Sequence, residues 1–184
     1  MRKIVAGLFM SLDGVVESPD QWQGPYFNPE MGQVIGGQLA AADTLLLGRK
    51  TYQEFAAFWP GAAGTGDPMA DQMNNAPKLV VSTTLDTVGW QNSSLVKGDV
   101  AEELKRLKQE EGKNLQITGS ITLVRSLLRN GLLDELALLV IPVLVGRGQR
   151  LFQDADEPMA LTLIDSQTLG TGVLSVTYQP TTRP

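Results

Sequence analysis

The 184-residue chain contains neither cysteine nor histidine. Without thiols there is no disulfide framework and no thiolate nucleophile. Without imidazole there is no Ser-His-Asp triad and no zinc site of the usual ligand set. Proton chemistry is left to carboxylates, lysines, tyrosines or bound water. Positive charge is scarce as well: 15 Lys and Arg stand against 20 Asp and Glu, a formal net charge of −5. That balance argues against a polyanion such as DNA, while a small ligand met by a few local cations remains compatible with it. No apolar run approaches the roughly 18 to 20 residues a membrane helix needs. The short apolar stretch after Met1-Arg2-Lys3 continues as a first strand instead of ending in a small-residue cleavage site. The expectation is a cytoplasmic protein built as one domain over residues 1–184, large enough to fold without staples.

What the chain does have is a recurrence. Thr44 to Leu47 runs into Gly48-Arg49-Lys50-Thr51, Lys78 to Val81 into Ser82-Thr83-Thr84, and Leu115 to Ile117 into Thr118-Gly119-Ser120. Small and hydroxyl residues at a strand-to-helix junction let backbone N–H groups face an anion at the positive end of the helix dipole. Three such junctions on one sheet edge point to a long phosphorylated ligand, and a dinucleotide is the natural candidate. Gly48 to Thr51 lacks the glycine spacing of a P-loop. It offers two cations and a hydroxyl at a helix start, which suits a phosphate monoester. The competing reading of all three junctions is ordinary helix capping.

The remaining pattern predicts the order of elements. A buried strand over Lys3 to Met10 ends in the turn Ser11-Leu12-Asp13-Gly14. Glu17 to Phe27, rich in Gly, Pro and aromatics, reads as a loop able to cover a site, with Trp22, Tyr26 and Phe27 as its anchors. Asn28 and Pro29 start a helix running to about Ala42, and Gly36-Gly37 within it predict close approach of a backbone or ligand. Strands follow near residues 43–47, 78–82, 94–97 and 115–117. Helices are expected at 50–58, stopped by Trp59-Pro60, after a capping box of Asp99 and Glu102, and after a capping Ser120. Gly61 to Asp67 reads as a flexible loop. Beyond Glu135 three strand-like segments, 135–145, 161–169 and 173–179, replace the alternation. The predicted fold is a three-layer α/β/α sandwich with a mixed, mostly parallel sheet and antiparallel strands added at one edge. Asp13, past the first strand, is the candidate polar group beside a reacting centre. Glu30, in the first turn of its helix, is the second candidate, though dipole compensation explains it as well.

These motifs, in order, resemble the RibD C-terminal domain family, the reductase domain of riboflavin biosynthesis, within the dihydrofolate reductase-like superfamily. The residues that carry the resemblance are Ser11 to Gly14, Leu46 to Tyr52, Val80 to Ser82, Thr118 to Ser120, and above all Gly131-Leu132-Leu133-Asp134-Glu135-Leu136 continuing through Ile141 to Gly148 and Leu151-Phe152. The resemblance implies NADPH bound along the carboxyl ends of the strands. It places Gly48, Arg49, Lys50 and Thr51 on the cofactor phosphates, with Arg49 on the 2′-phosphate. Ser82 and Thr83 fall near the adenosine, Gly119, Ser120, Ile121 and Thr122 on the pyrophosphate, and Ala6 and Gly7 against the nicotinamide. It also implies hydride transfer to a small heterocyclic or ribosylaminopyrimidine-type substrate, as in 5-amino-6-(5-phosphoribosylamino)uracil reductase, and a homodimer. The alternatives are a non-catalytic NADP(H)-binding protein and a dihydrofolate or pterin reductase. Two departures stand out. The family's pyrophosphate turn is commonly Gly-Gly where this chain has Gly119-Ser120, and with no His or Cys the chain cannot contain the zinc deaminase that accompanies the reductase in riboflavin synthesis.

Overall fold

A computed structural model describes residues 1–153 and 158–181, so the end of the expected 1–184 domain lies outside the described residues. The elements are β1 (Ile4–Ser11), α1 (Pro29–Ala40), β2 (Ala42–Gly48), α2 (Arg49–Phe58), α3 (Pro68–Asn75), β3 (Lys78–Val81), β4 (Ser93–Leu95), α4 (Val100–Gln109), β5 (Asn114–Thr118), α5 (Ile121–Arg129), β6 (Glu135–Ile141), β7 (Leu161–Thr168) and β8 (Leu174–Pro180). The strands form one eight-stranded sheet in the order β4-β3-β2-β5-β1-β6-β8-β7. Every pair from β4 to β6 is parallel, and β8 and β7 are added antiparallel. This is the expected mixed α/β sheet, with helices on both faces.

Alternation along the strands divides the core. Ile4, Ala6 and Leu8 of β1 pack with Leu115 and Ile117 of β5 against Leu104 and Leu107 of α4 and Val124 and Leu127 of α5. The opposite face carries Leu45 and Leu47 of β2 under Leu39 of α1, Tyr52 of α2 and Met73 of α3. A third cluster joins Met31 of α1 to Leu139 and Ile141 of β6 and receives Trp22 and Tyr26 from the long loop. Burying these side chains at about 25 cal/mol per Å² is what holds the layers together. Among the described residues no helix is long and apolar enough to cross a membrane.

The structure also changes several expectations. Helix α3 was not legible: it sits directly after the Gly-rich stretch 61–67, where Asp67 caps it by accepting from the Met69 N–H at 2.9 Å. Cβ atoms added at Gly36 or Gly37 would meet nothing within 4 Å, so no backbone approaches them. Asp99 caps α4, but Glu102 turns away to Lys105 at 2.8 Å instead of closing a capping box. The long loop contains two single 3₁₀ turns, Pro19–Gln21 and Gly24–Tyr26. Strand β6 ends at Ile141, because the following segment is pulled into turns at Gly146 and Gly148, whose φ angles of 76° and 106° suit glycine.

Candidate active site: a cleft at the switch point of the sheet

Chains leaving β1 and β2 cross to the face carrying α1, α2 and α3, whereas those leaving β4 and β5 cross to the face carrying α4 and α5. Because β5 lies between β2 and β1, its crossover departs on the opposite side from both neighbours. Such a point opens a crevice beyond the carboxyl ends of the strands, the usual ligand position in open α/β sheets. A cleft of about 1540 Å³ occupies it, larger than the roughly 300–1,000 Å³ of a pocket for one small molecule. A smaller depression of about 290 Å³, beside Leu39, Ala42 and Met73, includes residues from the start of β2 and lacks the strand-to-helix junctions.

The three junctions recognised in the sequence meet here, since β3, β2 and β5 are consecutive in the sheet. Gly48, Arg49, Lys50, Thr51, Ser82, Thr83, Gly119, Ser120, Ile121 and Thr122 all line the cleft. Two of the junctions are braced to each other. The Gly48 N–H donates to Ser120 Oγ at 2.8 Å, and the Ser120 N–H donates to Thr51 Oγ1 at 2.9 Å. Gly119 is required by this brace: its φ is 70°, and a Cβ there would lie 3.0 Å from Thr51 Cγ2. Ser120 adopts a φ of 55° and does not cap its own helix, contrary to the sequence reading, because its hydroxyl is already the acceptor for Gly48. Ser82 Oγ accepts from Thr84 and Leu85, which shapes the third turn.

Helix termini differ in a telling way. Helices α1, α3 and α4 are closed by the side chains of Asn28, Asp67 and Asp99. Helices α2 and α5, which start at the braced junctions, receive no hydrogen bond from a capping side chain. Their first N–H groups, with the positive end of each dipole, therefore face the cleft without a capping carboxylate or amide. Arg49 and Lys50 stand beside them on the surface. Arg49 touches Gln53 at 3.2 Å, and Lys50 reaches Glu17 at 3.5 Å.

The candidate carboxylates are placed elsewhere. Asp13 does not line the cleft. Its oxygens accept from the Ser11 hydroxyl at 2.6 Å, the Val145 N–H at 3.1 Å and the Gly146 N–H at 2.8 Å. The hydroxyl and the two amides hold its carboxyl down at about 2. The turn after β1 is thereby fastened to the loop after β6, so two motifs far apart in the sequence form one knot. Glu30 is also turned away from the cleft: it accepts from the Gly170 N–H at 2.6 Å and ties α1 to the turn between β7 and β8. Ala6 is buried in the sheet, while its neighbour Gly7 reaches the cleft floor.

Sequence reasoning missed other lining residues. Gln38 and Gln116 converge above Gly7; a Cβ on Gly7 would lie 2.4 Å from Gln38 Oε1 and 2.8 Å from Gln116 Nε2. Phe27, Ile35, Phe55, Trp59 and Met69 supply an apolar wall. Trp59, read as a helix stop, stacks edge-on against Phe58 and Phe55 and borders the cleft. Phe27 reads as an anchor of the covering loop; Ile35, Phe55 and Met69 are signalled only by hydrophobic periodicity, which is shared with ordinary core, and nothing local signals Gln38 or Gln116.

Residues 2–175 match the RibD C-terminal domain, and the chain belongs to that family. Two proteins of Bacillus subtilis (strain 168), the uncharacterized YyaP and YwjB, are each 27% identical to it. YyaP is matched over 96% of this chain and 94% of its own length, YwjB over 94% and 95%. A provisionally assigned riboflavin-biosynthesis protein of Shewanella sp. PV-4 superposes with a TM-score of 0.77, at 24% identity over 98% of this chain and 99% of its own. The bifunctional deaminase and 5-amino-6-(5-phosphoribosylamino)uracil reductase of Thermotoga maritima gives 0.66 at 14% identity, with 98% of this chain covering 57% of that one. Dihydrofolate reductase of Enterococcus faecalis, in complex with NADP(H), gives 0.58 at 17% identity over 97% and 96%. The fold is dihydrofolate reductase-like.

Proposed function

We propose that this protein is an NADPH-dependent reductase of a small heterocyclic substrate. The observation that carries the reading is the pair of uncapped helices, α2 and α5, braced side by side at the switch point with Arg49 and Lys50 next to them. In this reading the amides that open α2 and α5 hold phosphate, Arg49 and Lys50 neutralise it, and Ser82 and Thr83 flank the adenosine. Gly7, whose missing side chain makes room for the Gln38 and Gln116 carboxamides, lies on the nicotinamide side. When bound, NADPH supplies a hydride to the carbon of a C=N or C=O bond while the heteroatom takes a proton. The protein's part is orientation and exclusion of water, with residues 17–27 at the rim of the cleft. The test is titration with NADPH and with NADH, followed by energy transfer from tryptophan. Saturable binding with preference for NADPH is expected, and absence of binding at millimolar concentration overturns the reading.

The placement of Asp13 and Glu30 outside the cleft favours a second reading, binding of NADP(H) without turnover. Failure of NADPH-loaded protein to reduce any of a panel of pyrimidines, pterins and small carbonyls would select it. We also propose a homodimer through the β8–β7 edge. Leu163, Ile164 and Leu174 are exposed there, and no residue of β7 is buried. Light scattering is expected to give twice the chain mass, and Leu163→Lys with Ile164→Lys is expected to halve it.

A further inference from the structure

The segments that follow β1 and β6 are zipped together at the rim of the cleft. The Val16 N–H donates to the Gln149 carbonyl and the Leu151 N–H to the Gly14 carbonyl, each at 2.9 Å. Glu17 closes the zipper. Its Oε2 accepts from the Gln149 N–H at 3.0 Å and lies against Gly148, where a Cβ would come within 3.3 Å of it. The Glu17 carbonyl accepts from the Trp22 indole N–H at 3.0 Å, so the backbone that carries the carboxylate is pinned as well. The other carboxylate oxygen, Oε1, reaches Lys50 Nζ at 3.5 Å, although Glu54 stands one turn further along the helix that bears Lys50. Glu17, Lys50, Gln149, Gly119 and Ser120 all line the cleft. Because β5 lies between β1 and β2 in the sheet, the pair crosses the carboxyl end of β5, where Gly119 and Ser120 lead into α5.

This contact has the form of a loose clasp and not of a support. A charge-assisted hydrogen bond that orients an ammonium runs at about 2.7–2.9 Å, and here the separation is longer. Glu17 is fixed through its second oxygen, whereas the Lys50 side chain is two-thirds exposed and turns on a flexible four-carbon stem. Arg49, its neighbour, is met by the neutral carboxamide of Gln53 at 3.2 Å. Of the two cations at the start of α2, one therefore carries its own counter-ion. A carboxylate in that position has the same sign as any phosphate brought to the opening amides of α2 and α5, and it claims one of the charges that phosphate would use. We infer that Glu17 is an internal competitor for the anion site: its carboxylate and a ligand's phosphate contend for Lys50, so that anion binding at the start of α2 unfastens residue 17 from that helix and is weakened by doing so. The inference rests on the reductase reading for the identity of the ligand, but the competition is defined for any phosphate.

The probes are inorganic pyrophosphate and NADPH, each titrated by calorimetry into the full chain at low salt, where surface charge is least screened. Glu17→Gln removes the charge and keeps an oxygen to accept from the Gln149 N–H, and it is expected to tighten binding of both probes by about fivefold, near the limit for an exposed pair. In a Lys50→Met background the same substitution is expected to change affinity by less than about twofold. Unchanged or weaker binding in Glu17→Gln overturns the inference, and weaker binding would make Glu17 a support for Lys50. An equal gain with and without Lys50 also overturns it, because the effect would then be long-range charge alone. As a readout on the parent chain, the carboxyl carbon resonance of Glu17 is expected to move as pyrophosphate saturates; a fixed resonance at saturation overturns the clasp. The expected pyrophosphate results without NADPH binding leave the clasp standing and overturn the reductase reading. NADPH binding that is indifferent to Glu17→Gln does the reverse.

Discussion

The two ends of the β2–β3 pair hold cations in opposite ways. At the amino end of β3, Lys78 is buried: its ammonium donates to the carbonyls of Asn74, Ala76 and Gln91 at 2.9, 2.7 and 3.2 Å and lies 4.1 Å above the Trp90 ring. Asn74 in turn accepts from the Trp90 indole at 2.9 Å, and Tyr52 accepts the Gly89 and Trp90 N–H groups. At the carboxyl end of β2, Arg49 and Lys50 are exposed beside a helix start that no side chain caps. A polar group the fold needs is surrounded by partners from the same chain. The two exposed cations have only the surface contacts to Gln53 and Glu17 and stand beside uncapped amides of the same sign. The same contrast separates Asp13, which has three donors, from the open amides of α2 and α5.

The sharpest way to break this contrast is at the open end. Arg49→Ala with Lys50→Ala removes two charge-assisted contacts and is expected to weaken NADPH binding by about 100-fold or more. The urea midpoint should barely move, since exposed substitutions of this kind cost within ~0.5 kcal/mol. A stability loss that accounts for the binding loss would show that these cations belong to the fold.

At the closed end the expected effects reverse. Lys78→Met leaves three carbonyls without their donor and should cost about 3 kcal/mol in urea unfolding, with NADPH affinity unchanged. Burial pushes the Lys78 ammonium from 10.5 down to about 8. Between those values the unfolded chain keeps the proton that the folded chain has released. The group's contribution to stability therefore rises with pH across that window, by ~3 kcal/mol at most. Urea midpoints at pH 7.5, 8.5 and 9.5 should show the rise in the parent and not in Lys78→Met. A parent profile no steeper than that of the variant contradicts the assignment.

Asp13→Asn tests whether a carboxylate in a family motif belongs to the knot or to the chemistry. The expected result is a lower thermal midpoint with unchanged NADPH affinity. The Asp13 carboxyl is held down at about 2, against 3.8 unperturbed. Its contribution is thus present above pH 3.8 and lost as pH falls toward 2, so the variant should show a shallower acid limb. Loss of turnover at unchanged stability would return Asp13 to the active site. The smallest effect is expected at Gly37→Ala, where nothing lies within 4 Å of the new Cβ. A gain of about 0.5–1 kcal/mol is expected if the position is plain helix, and a loss of ligand affinity would mark it as a contact.

The parts of this protein that were legible in its sequence are those decided within about ten residues. Gly48-Arg49-Lys50-Thr51 announces a helix start, and Asn28-Pro29 announces another. The alternation of apolar runs with helical segments carries the order of layers. What was not legible depends on partners remote in the chain. Asp13 reads as a free carboxylate until Val145 and Gly146, 132 and 133 residues away, are seen to claim it. Ser120 reads as a cap until Gly48 reaches its hydroxyl. Gln38 is one more polar position on a helix until β1 brings Gly7 beneath it.

The place of β1 in the sheet sets a timetable for making the molecule. Its neighbours are β5, which begins at Asn114, and β6, which begins at Glu135. By contrast β2, β3 and β4 lie within residues 42–95 and can pair among themselves. At about 5–20 residues per second on the ribosome, the finished first strand waits roughly 5–20 seconds for its first partner. Throughout that interval Ile4, Ala6 and Leu8 are apolar segments with no sheet to join. The cleft floor at Gly7 therefore completes its sheet only after β5 and β6 have been made.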